Sequence, residues 1–204
     1  EIPRGFSVDK SHRKENLQVY VRGRRSVFGS ISGQPRLHIR VPAGTDVSVE
    51  TASGASHLRG PRGDVSLEAS SGAVSVDDAS GMISVKTSSG RASLNNCTGN
   101  ARVETSSGAV SIERFRGVVI AETSSGAIRG RDLQLSGQAA LATSSGGVNI
   151  SVRNDLRDLA LNLQTTTGRI LVGDRVRSNP YQVSGRLPVV ITTSSGSIQV
   201  NAED

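Results

Sequence analysis

Apolar and polar residues alternate over short stretches of this chain, and the alternation recurs at a fixed interval. Downstream of residue 63 the apolar positions come in pairs: Val65 and Leu67, Val74 and Val76, Ile83 and Val85, Ala92 and Leu94, Ala101 and Val103, Val110 and Ile112, Val119 and Ala121. Ser, Arg, Glu, Asp and Lys fill most of the places between and beyond. A period of two puts successive side chains on opposite sides of an extended backbone, so each pair predicts a short strand with one buried face. Every pair stands two and four places after a glycine, and glycines occupy 54, 63, 72, 81, 90, 99, 108, 117 and 126, a step of nine residues. Every second step closes on Thr-Ser-Ser-Gly, at 87–90, 105–108 and 123–126, and the phrase returns at 143–146 and 193–196. Looser forms stand at 51–54, 69–72 and 165–168. The full repeat is therefore 18 residues, made of two unlike halves.

A strand this short cannot bury its apolar face alone. Stacking successive coils about 4.8 Å apart lets strands pair in parallel around a continuous apolar interior. The prediction is an all-β, single-domain parallel β-solenoid with 18-residue coils, right-handed because parallel crossovers overwhelmingly are. The seventh place after each glycine distinguishes the two corners of a coil. One series reads Ala79, Cys97, Phe115, Leu133 and predicts an apolar corner; the other reads Ser70, Ser88, Ser106, Ser124, Ser144 and predicts a hydroxyl column that bonds up the stack. The glycine that follows is expected to supply a positive φ or a close backbone approach. The fifth place gives Arg59, Asp77, Asn95, Glu113, Arg131 in one half and Glu68, Lys86, Glu104, Glu122 in the other, so an in-register stack sets several opposite charges side by side.

The two ends depart from the rule. Residues 1–50 lack the nine-residue step, yet LQVYV (17–21) and LHIRV (37–41) alternate like strands. They are expected to form an N-terminal β cap over the first coil, with the repeats running from 51 to 204, regular to about 146. After Gly126 the Thr-Ser-Ser-Gly-type corners spread to spacings of 20, 22 and 28 residues. The extra residues are expected at the apolar corner, on one edge of the stack where binding surfaces usually lie. That edge would carry Arg129, Arg131, Arg153, Arg157, Arg175, Arg177 and Tyr181, the candidate binding residues.

Charge and composition narrow the chemistry. Residues 1–40 hold nine Lys and Arg against three acids, so the whole net charge of +6 lies there and the repeats are balanced. A nucleic-acid partner is not expected, although the basic N-terminal segment suits an anionic surface. A single cysteine, Cys97, excludes an intrachain disulfide and a thiolate cluster; its place in the apolar column makes it a packed thiol. Serine is abundant, but it sits in identical turns, without a G-x-S-x-G elbow, and the histidines are only His12, His38 and His57. Calcium β-rolls need a recurring turn aspartate, which is missing here. Nothing indicates a metal, a cofactor or a catalytic residue.

The stretch LHIRVPAGTDVSVETASG (37–54), followed by GDVSLEASSGAVSV and its successors, resembles a bacterial adhesin-like family of β-strand-repeat proteins of unknown function, in which a V-P-x-G turn leads into T-x-S-G-x-V-x-V units. The resemblance implies a right-handed β-solenoid located at the cell envelope, periplasmic or extracellular, with its leader removed. It carries over no catalytic residues. The expected function is non-enzymatic binding of a surface polysaccharide or an envelope protein. The alternatives are a scaffold or envelope-stress component that self-associates through an open solenoid end, and, third, a polysaccharide-active enzyme.

Overall fold

The computed structural model describes residues 6–13, 16–23 and 44–203. An antiparallel hairpin comes first, β1 (Phe6–Arg13) with β2 (Asn16–Gly23), forming a sheet of its own. β2 covers the strand expected at LQVYV. The strand expected at LHIRV lies outside the described residues, and so do Arg24, Arg25, Arg36 and Arg40. The coils follow as β3 (Val47–Ser53), β4 (Ser56–Arg59), β5 (Val65–Ser71), β6 (Val74–Asp77), β7 (Ser80–Thr87), β8 (Ala92–Asn95), β9 (Thr98–Thr105), β10 (Val110–Thr123), β11 (Ile128–Thr143) and β12 (Val148–Val152). A single 3-10 turn, Leu156–Asp158, leads to β13 (Leu159–Thr167), β14 (Ile170–Val172), β15 (Arg175–Arg177), β16 (Tyr181–Gln182), β17 (Leu187–Ser195) and β18 (Ile198–Ala202).

These strands form a parallel β-solenoid with coils of about 18 residues. On its first face β3, β5, β7, β9 and the second half of β10 stack in order; on its second face β4, β6, β8 and the first half of β10 do the same. The register advances by one repeat per rung, as Val85 pairs with Val103 and Val103 with Ala121. The apolar pairs all point inward, and Phe115, Leu67, Ile83, Leu94 and Ile112 are among the largest fully buried side chains. Ala79, Cys97, Phe115 and Leu133 fill the apolar corner as the seventh-place series requires.

At the opposite corner the hydrogen-bonding column is threonine rather than serine. Thr87, Thr105, Thr123, Thr143, Thr165 and Thr193 are buried, whereas Ser88, Ser106, Ser124 and Ser144 face out. Thr105 Oγ1 accepts from Gly108 N–H at 3.0 Å, and Thr123 Oγ1 donates to Gly108 C=O in the rung below at 3.1 Å. Thr105 thus satisfies its own turn and ties it to the neighbouring one, and Thr143, Thr165 and Thr193 likewise donate to a glycine carbonyl of an adjoining rung. Gly108 is required by crowding: a Cβ there would lie 1.7 Å from Gly90 O. At the apolar corner a positive φ adds to the crowding, with Gly99 at φ 123° and a Cβ there 2.1 Å from Gly81 O. Just before that corner Asp78, Asn96, Arg114 and Asp132 all adopt left-handed backbone, φ 56, 53, 50 and 58°. Asp and Asn tolerate this region best, which accounts for the Asp77-Asp78 and Asn95-Asn96 doublets.

The last coils do not stack in chain order. β17 pairs with β11 on one side and β13 on the other, and β18 lies likewise between β12 and β14. The C-terminal coil is inserted beneath the coil that precedes it in sequence. From Val152 to Leu159 the chain must therefore climb two rungs, about 9.6 Å, and residues 173–186 then bring it back. These connections account for the 22- and 28-residue spacings, which were expected to be edge insertions on coils stacked in sequence order. The 20-residue spacing has a different origin, a bulge that shifts register between the pairs Gly117↔Leu135 and Val119↔Ala139.

The return segment also closes the far end of the solenoid. β15 runs antiparallel along β14 and β16 along β13. Where backbone pairing stops, the Asn179 amide substitutes for a strand: Thr165 N–H donates to its Oδ1 at 3.2 Å and its Nδ2 donates to Thr165 C=O at 2.5 Å. Covering the edge in this way removes the row of unpaired donors and acceptors that invites end-to-end pairing.

Candidate binding surfaces

A concavity among the described residues follows directly from the threonine corner. Because the threonines turn inward while both neighbours turn outward, every coil contributes a notch. Stacked rungs align the notches into a groove of about 620 Å³. Thr87, Thr105, Thr123, Thr143 and Thr193 form its floor and Ser88, Ser106, Ser124, Ser144 and Ser194 one wall. The other wall runs Lys86, Glu104, Glu122, Ala142, Thr192 and Gln164, in rung order. Glu104 and Glu122 are direct neighbours in the stack, and Arg102 neutralises the first at 2.5 Å. Hydroxyls that donate and accept therefore line the groove, with carboxylates on one wall near its middle. The sequence pointed to a hydroxyl column at this corner but assigned its bonding to the serines, and it supplied no sign of a recess, because concavity comes from the inward turn of the threonine one place earlier.

The arginines expected on a single edge fall in three places. Arg129 and Arg131 project from the second face, where Arg129 is flanked in register by Ser111 and Asn149 and Arg131 by Glu113. Arg153 reaches back to Asp132, its Nη2 donating to Oδ2 at 2.7 Å and its Nε to Oδ1. That guanidinium holds the Asp132 carboxyl below its ordinary range. Arg157 chelates Asp155 within the 3-10 turn, donating from Nη2 at 2.7 Å and from its backbone N–H at 2.9 Å. The two bonds depress the Asp155 carboxyl to about 2. Arg175, Arg177 and Tyr181 belong to the segment that covers the far end, with the Arg177 guanidinium 5.3 Å from the Tyr181 ring centroid. Arg153 and Arg157 are thus both engaged within the single climbing connection between β12 and β13, a structural use that the sequence spacing left hidden.

Another polar column runs along the second face and was not anticipated. Arg59 Nε lies 3.3 Å from Asp78 Oδ2, Asn96 Nδ2 donates to Asp78 Oδ1 at 2.7 Å, and Arg114 Nη2 donates to Asn95 Oδ1 at 2.5 Å. The Asn96 amide, followed by Arg59, lowers the Asp78 carboxyl. The doublets at 77–78 and 95–96 were the available signal. Beside this column His57 Nε2 stands 3.5 Å from Asp77 Oδ2, and Ser75 Oγ donates to Asp77 Oδ1 at 3.5 Å. A serine nucleophile needs the imidazole between hydroxyl and carboxylate; here the carboxylate is in the middle. Burial raises the Cys97 thiol, which donates to Asn95 C=O at 3.3 Å, the setting of a packed side chain. No three of His, Cys, Asp and Glu gather to hold a metal among the described residues.

A family model described as Toastrack DUF4097 matches residues 4–201. No curated protein and no solved structure matches the chain.

Proposed function

The chain belongs to the Toastrack family, a domain of unknown function, and from that premise we propose that it is a non-enzymatic binding module of the cell envelope, periplasmic or extracellular, whose ligand is an extended surface polysaccharide. The observation that carries this reading is the groove along the threonine corner. It presents serine and threonine hydroxyls at the rung spacing, about 4.8 Å, so a chain of hydroxylated units finds a donor and an acceptor at each step. Glu104 and Glu122 disfavour polyanions there and favour a neutral polymer. A wide, shallow polar groove of this kind orients a long ligand through many weak contacts rather than enclosing a small one.

The test is calorimetric titration of the protein with neutral envelope polysaccharide, alongside variants that fill the groove from its exposed wall. Ser106→Arg with Ser124→Arg leaves the buried threonines untouched and is expected to abolish binding with the thermal transition preserved. Retained binding in that variant, with loss in Arg129→Ala and Arg131→Ala, would move the site to the second face.

A further inference from the structure

The inserted C-terminal coil and the coil above it offer equivalent inward side chains to the rung below. On the first face the register runs Ala139, Val189, Leu161 and Thr143, Thr193, Thr165. On the second it runs Val148, Ile198, Ile170 and Ile150, Val200, Val172. All of these side chains are buried. The corner bonds match as well. Thr193 Oγ1 donates to Gly146 C=O at 2.9 Å, and Thr165 Oγ1 donates to Gly196 C=O at 2.9 Å. Gly196 packs on Gly146, and Gly168 on Gly196, each too closely for a Cβ. Either coil therefore fits the surface presented by β11 and β12.

The outer coil carries its own cover. Among the described residues β15 pairs only with β14, and β16 only with β13. Val183 N–H donates to Leu161 C=O at 3.0 Å and Arg186 N–H to Asp158 C=O at 2.7 Å. On the stack side β13 and β14 pair only with β17 and β18. Residues 156–186 thus form a capped coil, tied to the earlier rungs through the inserted coil and through the connection at 153–155. That connection climbs two rungs, so it reaches one rung with length to spare. The inserted coil is fastened at its far end, where Glu203 accepts from Asp132 N–H at 3.1 Å and its own N–H donates to Val152 C=O at 2.8 Å.

We propose that residues 187–203 are a removable wedge: when this coil leaves its slot, the capped coil 156–186 descends one rung, about 4.8 Å, and stacks directly on β11 and β12. Leu161 then rests on Ala139, Thr165 on Thr143 and Ile170 on Val148. The same strap closes the far end in both states, so the descent opens no new edge of the stack. The released coil gives up the burial of Val189, Ile191, Ile198 and Val200, which keeps the descended state the minor one. The groove loses the rung of Thr192, Thr193 and Ser194 on descent, so its length depends on the wedge. The two stacking orders stand on the pairing alone, whatever the groove binds.

Disulfide trapping in the full chain tests the descent. Ala142 and Gln164 flank Thr192 on opposite sides, two rungs apart and beyond the roughly 7 Å that a disulfide spans between Cα atoms. Descent makes them direct neighbours. Ala142→Cys with Gln164→Cys is expected to give an intramolecular disulfide under mild oxidation at low concentration; buried Cys97 does not compete. Lys86→Cys with Glu122→Cys, equally two rungs apart across Glu104, is the control for global opening and should crosslink at least about tenfold more slowly. Adding Glu203→Ala should speed the 142–164 crosslink by about tenfold. Equal rates for the two pairs, or a 142–164 crosslink that leaves 187–202 protected from amide exchange, overturn the proposal. In the unmodified protein, native-state exchange should be faster across 187–202 than across 159–167, although 187–202 lies inside the stack. The opposite order, expected of simple fraying from the end, overturns it as well.

Discussion

The rungs before Gly126 and those after it are built from the same repeat, yet they behave as different materials. In the early part each coil rests on the one made just before it, the middle outward place of the first face is polar from Ser48 through Arg102, and the contacts are local along the chain. In the late part the final coil is wedged between two others, the middle outward place of the first face reads Ala140 and Val190, and the terminal edge is closed by an antiparallel strap. A repeat of fixed length makes position in the stack follow position in the chain. Once the length is released, the chain can place its last coil inside and use the spare residues to seal the end.

The largest effect expected from breaking this comparison is at the glycine corner. Gly108→Val forces a side chain into Gly90 O and should cost more than about 4 kcal/mol, abolishing the cooperative transition in urea. The equivalent change at Gly196, where a Cβ would meet Gly146 O at 2.1 Å, should instead expel the inserted coil. In that case exchange across 187–202 rises while 65–121 stays protected. Phe115→Ala ranks next, with a loss of about 3–5 kcal/mol by urea unfolding, because Phe115 is the largest side chain in a column otherwise filled by Ala, Cys and Leu.

A smaller effect isolates the insertion itself. Glu203 accepts from Asp132 N–H at 3.1 Å and from Ser151 Oγ, and its own N–H donates to Val152 C=O at 2.8 Å. The end of the C-terminal coil is therefore latched to the earlier rungs. Glu203→Ala should lower global stability by about 1–3 kcal/mol, with the loss localised by hydrogen exchange to 187–202. The smallest effect is electrostatic. The folded Asp155 carboxyl sits below its ordinary value, at about 2, so it favours the folded state above the unfolded carboxylate range. That contribution is lost as pH falls from about 4 toward 2. Because Asp155 and Arg157 are exposed, the unfolding midpoint should move only slightly over that interval. Arg157→Ala should raise the Asp155 titration midpoint, read by carboxyl-carbon NMR, toward the ordinary value.

Much of the regular part was legible because its signals are local. Val110 and Ile112 face inward since alternate residues of a strand must, and Glu104 stacks on Glu122 since a constant 18-residue coil permits only one register. The groove was half legible: the hydroxyl column was visible, but the burial of Thr105 in preference to Ser106 depends on which residue the turn rotates inward. The arginines were misgrouped because the long spacings looked like insertions on one edge. Arg153 bonds Asp132 across 21 residues, a contact between neighbouring rungs set by the pairing of Val152 with Leu133.

By itself the amino-acid sequence determined the coil length, the parallel register, the two kinds of corner and the inward core, because each follows from a repeated local pattern under steric rules. The tertiary structure alone decided the order of the last coils, the closure of the far end and the apolar turn of the first face. Strands of nearly identical composition can pair with several neighbours, and only the competition among those pairings, weighed against the reach of the connecting segments, selects the one in which the last coil goes inside.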